Sequence, residues 1–250
     1  MRKKLAGGGL FLSLAGLIIL FQADSARASS IVISQIYGGG GNTGGIYSND
    51  FIELFNPGNA PASLAGWSVQ YASATGTGNF GYNASAITLL PSITLAPGQY
   101  LLIEEDQGAN LIASLPSPDV IDASPINLSL SDGKVALVNG TTSLGCNGGS
   151  TPCSPAELAS IVDLVGYGGA NFFEGASAAP VATNATAILR RGGGLQDTGN
   201  NGADFIAGTP NPRNMASPFN VPIPEPATLS FLGIGIVGLI AYGWRHRRRQ

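Results

Sequence analysis

Few side chains in this 250-residue sequence are of the kind that do chemistry, and their spacing narrows the choice. The single histidine, His246, sits in an arginine-rich terminus, so no Ser-His-Asp or Cys-His arrangement can be assembled in the body of the chain. Cys146 and Cys153 flank a loop of Asn, Gly, Ser, Thr and Pro. In an oxidising compartment that spacing predicts a local disulfide, and without a CxxC or a nearby histidine it does not suit zinc. Bridged cysteines supply no nucleophile. The glycine-rich run Gly38 to Gly45 lacks the Gly-Lys-Ser/Thr that grips phosphate. Glu104-Glu105-Asp106 offers carboxylates to a glycosidase, but neighbours on a strand point to opposite faces, which predicts a solvated strand end. Asp197, Asn200, Asn201 and Asp204 place oxygen atoms within one loop, as a hard cation such as calcium requires. An EF-hand register from Asp197 puts Gly202 in place but Gly208 where the bidentate glutamate belongs, and Asx turns account for the same residues without metal. The expectation is a non-enzyme without a cofactor, calcium being the one candidate ion.

The two ends of the chain carry signals of another kind. Arg2, Lys3 and Lys4 precede an apolar stretch centred on Leu10 to Phe21, and Ala26-Arg27-Ala28 follows. Small residues at Ala26 and Ala28 predict cleavage before Ser29 by signal peptidase, making residues 1–28 a secretory signal; the apolar core is short for a retained helix. From Ala227 to Trp244 the chain runs 18 residues without a charge, then meets Arg245, Arg247, Arg248 and Arg249. At about 1.5 Å per residue that run spans roughly 27 Å, enough for a membrane helix over 227–244. The arginines (tail 245–250) hold it as a stop-transfer end on the cytoplasmic side of an inner membrane, with Tyr242 and Trp244 at the interface. Between Ser29 and Pro226, four basic side chains face fourteen acidic ones, a formal charge of −10. Such a body repels phosphate backbones, so nucleic acid is not an expected partner.

The body itself alternates short apolar runs with turn residues. Ile31 to Tyr37, Asp50 to Phe55, Trp67 to Tyr71, Gln99 to Ile103, Lys134 to Val138, Ile161 to Val165 and Thr186 to Arg190 each read as strands ended by Gly, Asn, Asp or Pro. Seven such strands predict an all-β sandwich or barrel. Helix is expected only over Gly108 to Leu115 and over Ser154 to Ser160, where Ser154 and Glu157 form a capping box. Asn211 to Pro226, rich in Pro, Ser and Asn, reads as a linker, with the domain proper over 29–214 and the linker and Pro-Glu-Pro motif over 215–226.

Ser34-Gln35-Ile36-Tyr37-Gly38-Gly39, Asn49-Asp50-Phe51-Ile52-Glu53-Leu54-Phe55-Asn56 and Leu64-Ala65-Gly66-Trp67 resemble the opening of lamin-tail domains, as does Leu95-Ala96-Pro97-Gly98-Gln99-Tyr100-Leu101 further on. The run Arg190-Arg191, Asp197-Thr198-Gly199-Asn200-Asn201, Asp204-Phe205 and Thr209-Pro210 is similar to the end of exported bacterial members. The resemblance implies an immunoglobulin-like β-sandwich with long loops. In such a fold Trp67 suits the space between sheets, and Glu53 must be either exposed or paired, because an unpaired buried carboxylate is costly. Pro224-Glu225-Pro226, the apolar run and the arginines together resemble a PEP-CTERM sorting signal. That implies exosortase as a partner at the inner membrane, then display in the outer envelope, at the cell surface or in the medium, often in a producer of extracellular polysaccharide. The expected function is a non-enzymatic adhesion, matrix or scaffold module. The alternatives are an accessory to an extracellular nuclease or phosphatase, or a polysaccharide-binding module using Tyr37, Tyr47, Tyr82 or Phe80, although the strand-adjacent positions of these aromatics favour core or turn packing.

Overall fold

The computed structural model describes residues 31–221. The signal segment with Ala26, Ala28 and Ser29, the Pro224-Glu225-Pro226 motif, the apolar run and Arg245, Arg247, Arg248 and Arg249 lie outside the described residues. Among the described residues no helix is long and apolar enough to cross a membrane.

The strands are β1 (Val32–Tyr37), β2 (Asn49–Phe55), β3 (Ala62–Ser63), β4 (Ser68–Ala72), β5 (Ile87–Leu89), β6 (Thr94–Leu95), β7 (Tyr100–Gln107), β8 (Val120–Ile121), β9 (Gly133–Val138), β10 (Ile161–Tyr167), β11 (Ala187–Arg190) and β12 (Phe205–Gly208). One sheet runs β12-β11-β1-β2-β7-β8 and the other β10-β9-β4-β5, while β3 and β6 pair by themselves. Pairing is antiparallel except between β7 and β8. The two sheets face each other across one apolar core. Ile33, Ile36, Ile52, Leu54, Leu101 and Ile103 of the first meet Val69, Val135, Leu137 and Val165 of the second. Burying each such side chain is worth about 1.5–3 kcal/mol. Trp67 is partly buried against the same cluster.

All seven expected strands form, and most extend a residue or two beyond the apolar run that announces them. The outer faces, however, are not left to water. Tyr37, Phe51, Leu102 and Ala187 pack outside the first sheet under Leu115, and Val32, Phe55 and Tyr100 pack beneath Leu195. Outside the second sheet, Ala72, Ala136, Val138 and Leu164 are covered by Phe80, Leu144 and Cys146. Every residue of β1 and β9 is therefore buried. The long loops add a third and a fourth layer.

Of the two expected helices, one forms. In α1 (Pro155–Ser160), Glu157 N–H donates to Ser154 Oγ and Ser154 N–H to the Glu157 carboxylate, closing the capping box. Gly108 to Leu115 is not helical. Its donors go elsewhere: Asn110 N–H to the Gly41 carbonyl and Ile112 N–H to Ser48 Oγ, while Ala113 bridges to Tyr47. Those bonds dock this loop on the glycine-rich loop and leave no turn-to-turn ladder.

Cys146 and Cys153 are bonded, with a Cα–Cα distance of 5.1 Å, and clip the loop that covers the second sheet. Reducing this bridge, which has a sequence separation of 7, should cost about 2 kcal/mol on the chain-entropy account. Thermal melting with and without reductant checks it, with a lowered midpoint expected in the reduced sample.

Candidate functional site

The polar side chains that the fold buries are where any site must be built. Glu53, on β2, is fully buried on the outer face of the six-stranded sheet. A register shift between Ile33 and Gln35 makes Ser34 a bulge, and so both Ser34 Oγ and Gln35 Nε2 reach the Glu53 carboxylate. Arg213 completes the cluster: Nη2 lies 2.7 Å from Oε1, Nε 3.1 Å from Oε2, and its own backbone N–H 2.7 Å from Oε2. The guanidinium also lies over the Tyr100 ring, 3.8 Å from its centroid. Burial pushes the Glu53 carboxyl up, and Arg213 and Ser34 pull it back. Of the two alternatives open to Glu53, the paired one is realised.

Arg213 belongs to the stretch that composition marks as a linker. From Asn211 to Val221 this segment is a strap laid on the sandwich. Asn211 exchanges two hydrogen bonds with the Gln35 side chain, Met215 N–H donates to Asp119 and its carbonyl accepts from Gln99, and Asn220 N–H donates to the Gly98 carbonyl. Its own backbone groups are met by side chains of β1, β2 and the loops flanking β7, and by the Gly98 carbonyl.

A second cluster joins the two sheets. Arg190 of β11 and Asp163 of β10 are both buried, with Nη2 and Oδ2 2.7 Å apart. Ile33 N–H donates to Asp163 and the Ile33 carbonyl accepts from Arg190 Nε. The ion pair thus occupies the rung that β11 would otherwise offer to β1. Arg190 also reaches Asp197 at 3.3 Å and stacks on Phe205.

Of the residues expected to suit calcium, Asp197, Asn201 and Asp204 have their side-chain oxygen atoms engaged within the fold, whereas Asn200 Oδ1 is buried without a hydrogen-bond partner among the described residues. Asp204 accepts from Thr198 N–H, Thr198 Oγ1 and Asn200 N–H, and these bonds outweigh burial and hold its carboxyl low. Asn201 Oδ1 accepts from Gly166 and Glu174 N–H, and its amide donates to the Leu164 carbonyl. Asp197 accepts from Gly199 N–H in an Asx turn and faces Arg190. Apart from Asn200 Oδ1, the oxygen atoms a cation would use are met by N–H groups, the Thr198 hydroxyl and a guanidinium. Among the described residues no group of three or more His, Cys, Asp or Glu is placed to hold a metal ion.

Among the described residues, three buried Asp, Glu or Lys side chains lack an opposite charge. Lys134, at 0% exposure, donates to the Asn147 carbonyl and to Asn171 Oδ1, and burial lowers its pKa. Asp50 accepts from Gly40 N–H and Leu128 N–H, and burial raises its carboxyl to about 7. It forms the base of a cleft of about 250 Å³ lined also by Asn42, Asp106, Asn127 and Ser129. Glu105 does not behave as a solvated strand end. It is 1% exposed, accepts from Ile126 N–H and Thr88 Oγ1, and is raised by burial to about 8. Glu104 and Asp106 do keep partial exposure. Of the loop aromatics, Tyr37 and Phe80 are wholly buried and Tyr47 packs against Tyr37 and Phe51, leaving Tyr82 exposed.

These raised carboxyls fix the sign of the pH dependence. The stability tied to protonated Glu105 and Asp50 is fully present below their ordinary values near 4, and is lost as pH rises through about 7 to 8. Melting midpoints should fall from pH 5 to pH 9. Glu105→Gln, whose amide can donate to Thr88 and accept from Ile126, should flatten that slope.

The Lamin Tail Domain family matches residues 24–153, just over half of the chain, and the PEP-CTERM protein-sorting motif matches residues 222–249. The first match takes in β1 to β9 and the disulfide; β10 to β12, with Asp163 and Arg190, lie beyond it. No match is found among curated proteins. The second match implies exosortase-mediated sorting to the cell surface or extracellular space. The chain belongs to the lamin-tail domain family and carries a PEP-CTERM sorting motif.

Proposed function

We propose that this protein is exported by its N-terminal signal, held in the inner membrane by the 227–244 span until exosortase acts at Pro224-Glu225-Pro226, and then displayed as a non-enzymatic adhesion or scaffold module. One observation carries the non-enzymatic part. Outside the Asp50 cleft, buried ionisable side chains are spent on holding segments of the fold together: Glu53 on the strap, Asp163 and Arg190 on the sheet junction, Lys134 on the disulfide loop. A catalytic acid or base needs a free face towards a substrate, and these groups present none. The surface supports a display role too, because of the four basic side chains in the body Lys134 and Arg190 are buried and Arg213 is paired, which leaves Arg191 against an acidic exterior.

Polysaccharide binding is a second reading, favoured by the cleft above Asp50. Carboxylates beside the Asn42 and Asn127 amides offer the mixed acceptors and donors that sugar hydroxyls use. Retention on extracellular polysaccharide that Asp106→Asn weakens several-fold would support this reading, and no retention would remove it.

Sorting has its own test. Replacing Pro224, Glu225 and Pro226 with alanine should leave the full-length chain in the inner-membrane fraction of an exosortase-bearing host, while the parent sequence is shortened and released. Equal processing of both would refute the sorting role of the motif and leave the membrane span standing.

A further inference from the structure

The strap fixes which end of the sandwich lies nearest the sorting motif. The strands of the six-stranded sheet have two distinct ends. One carries Val32, Phe55 and Tyr100, with the Gly98 turn just before β7; the other carries Tyr37, Asp50 and Gln107, with the cleft and the loop through Leu111. β7, at about 3.3 Å per residue, separates them by roughly 25 Å. The last described residues lie across the first end. Asn220 N–H donates to the Gly98 carbonyl, and its amide donates to the Gly192 and Gly193 carbonyls. Gly98, at φ +75°, has no room for a side chain, since a Cβ there would stand 2.7 Å from Val221 Cγ1. The contact is thus built to the final residue before Pro222.

Two large apolar side chains stand out of this end of the strap: Phe219 is 54% exposed and Val221 51%. The described residues leave about half of each side chain uncovered. Only Pro222-Ile223-Pro224-Glu225-Pro226 separates Val221 from the charge-free run that begins at Ala227. Even fully extended, that spacer reaches about 20 Å, less than the length of the sandwich. An aromatic ring and an aliphatic chain held so close to a membrane span are suited to the interfacial layer, where amphipathic and apolar groups gather beside membrane helices.

We infer that the Gly98 end of the sandwich, through Phe219 and Val221, rests on the lipid surface before the tail is cut, and that the Asp50 cleft and Leu111 face away from the membrane. The spacer decides between the two ends, because Leu111, at 80% exposure, and Ile112 make the far end apolar as well. The inference rests on the proposed membrane span.

Spin labels on Phe219→Cys and Leu111→Cys test it in the uncleaved chain, reconstituted in vesicles of phosphatidylethanolamine and phosphatidylglycerol. Both positions are exposed, so neither label disturbs the core, and the native cysteines are bonded to each other. Label 219 should be relaxed by lipid-soluble oxygen several-fold more than by a water-soluble nickel chelate, and label 111 should show the reverse. Two labels equally open to the chelate, in a chain that resists alkaline carbonate extraction, would overturn the inference and leave the span intact. A chain that carbonate strips from the vesicles would overturn both.

Discussion

A carboxylate set in the middle of a sheet face must be met by charge or moved to water, and in this protein that constraint organises the fold around Glu53. Phe51 and Phe55 flank it on the same face of β2, so no water-filled path is left open. An isolated ion there would cost several kcal/mol or more. The sequence meets the need with two devices from opposite ends of the described chain. The bulge at Ser34 turns two successive side chains towards the carboxylate, and Arg213 arrives 160 residues later in sequence with its guanidinium and its own backbone N–H. Because both of these Arg213 groups bond the same carboxylate, strap and sheet are tied through main chain as well as side chain. Removing one partner of such a pair typically costs about 3–5 kcal/mol, mostly through the charge left behind.

The same logic recurs wherever a loop is drawn over a sheet. Asp163 and Arg190 neutralise one another while bonding both polar groups of Ile33, so the first strand is tied to the second sheet at a rung where β11 is not paired with it. Lys134 makes no salt bridge among the described residues, and is held instead by a carbonyl next to the disulfide and by Asn171. Asp50 does for the glycine-rich loop what Lys134 does for the disulfide loop. It bonds Gly40 and Leu128 N–H, bringing two loops to one carboxylate. A domain poor in charged residues places many of those it has at seams between layers.

What could be read from the sequence follows from how local each cause is. Strand runs, the capping box at Ser154 and the Cys146–Cys153 bridge depend on neighbours within a few residues, and each was legible. Glu105 was not, because strand alternation says only that it faces opposite to Glu104 and Asp106. That its face is the one between the sheets depends on Thr88 and Ile126, both distant in sequence. Core packing of the loop aromatics holds for Tyr37 and Phe80, but what covers them is again distant in sequence. Tyr37 and Phe80 stand next to glycines, yet Tyr47 folds back over Tyr37, and Leu144, Cys146 and Phe172 from other loops enclose Phe80. The 197–204 run was legible as a cluster of oxygen atoms, but not the identity of what they bind, since Arg190 and Gly166 approach from other strands.

The strap is the instructive failure. Pro, Ser and Asn without periodicity describe a segment that forms no regular structure, which is true of residues 211–221, but irregular backbone can still be fully engaged. Here its partners are side chains, Gln35, Glu53, Gln99 and Asp119, which no periodicity in the strap itself could announce. The consequence reaches the tail. A free linker would make the lamin-tail domain and the sorting motif independent modules, whereas a strap bonded as far as Asn220 makes the domain's fold set where the motif begins. Any change that loosens Glu53 or the Gly98 turn therefore acts twice, once on stability and once on where the chain enters the sorting motif.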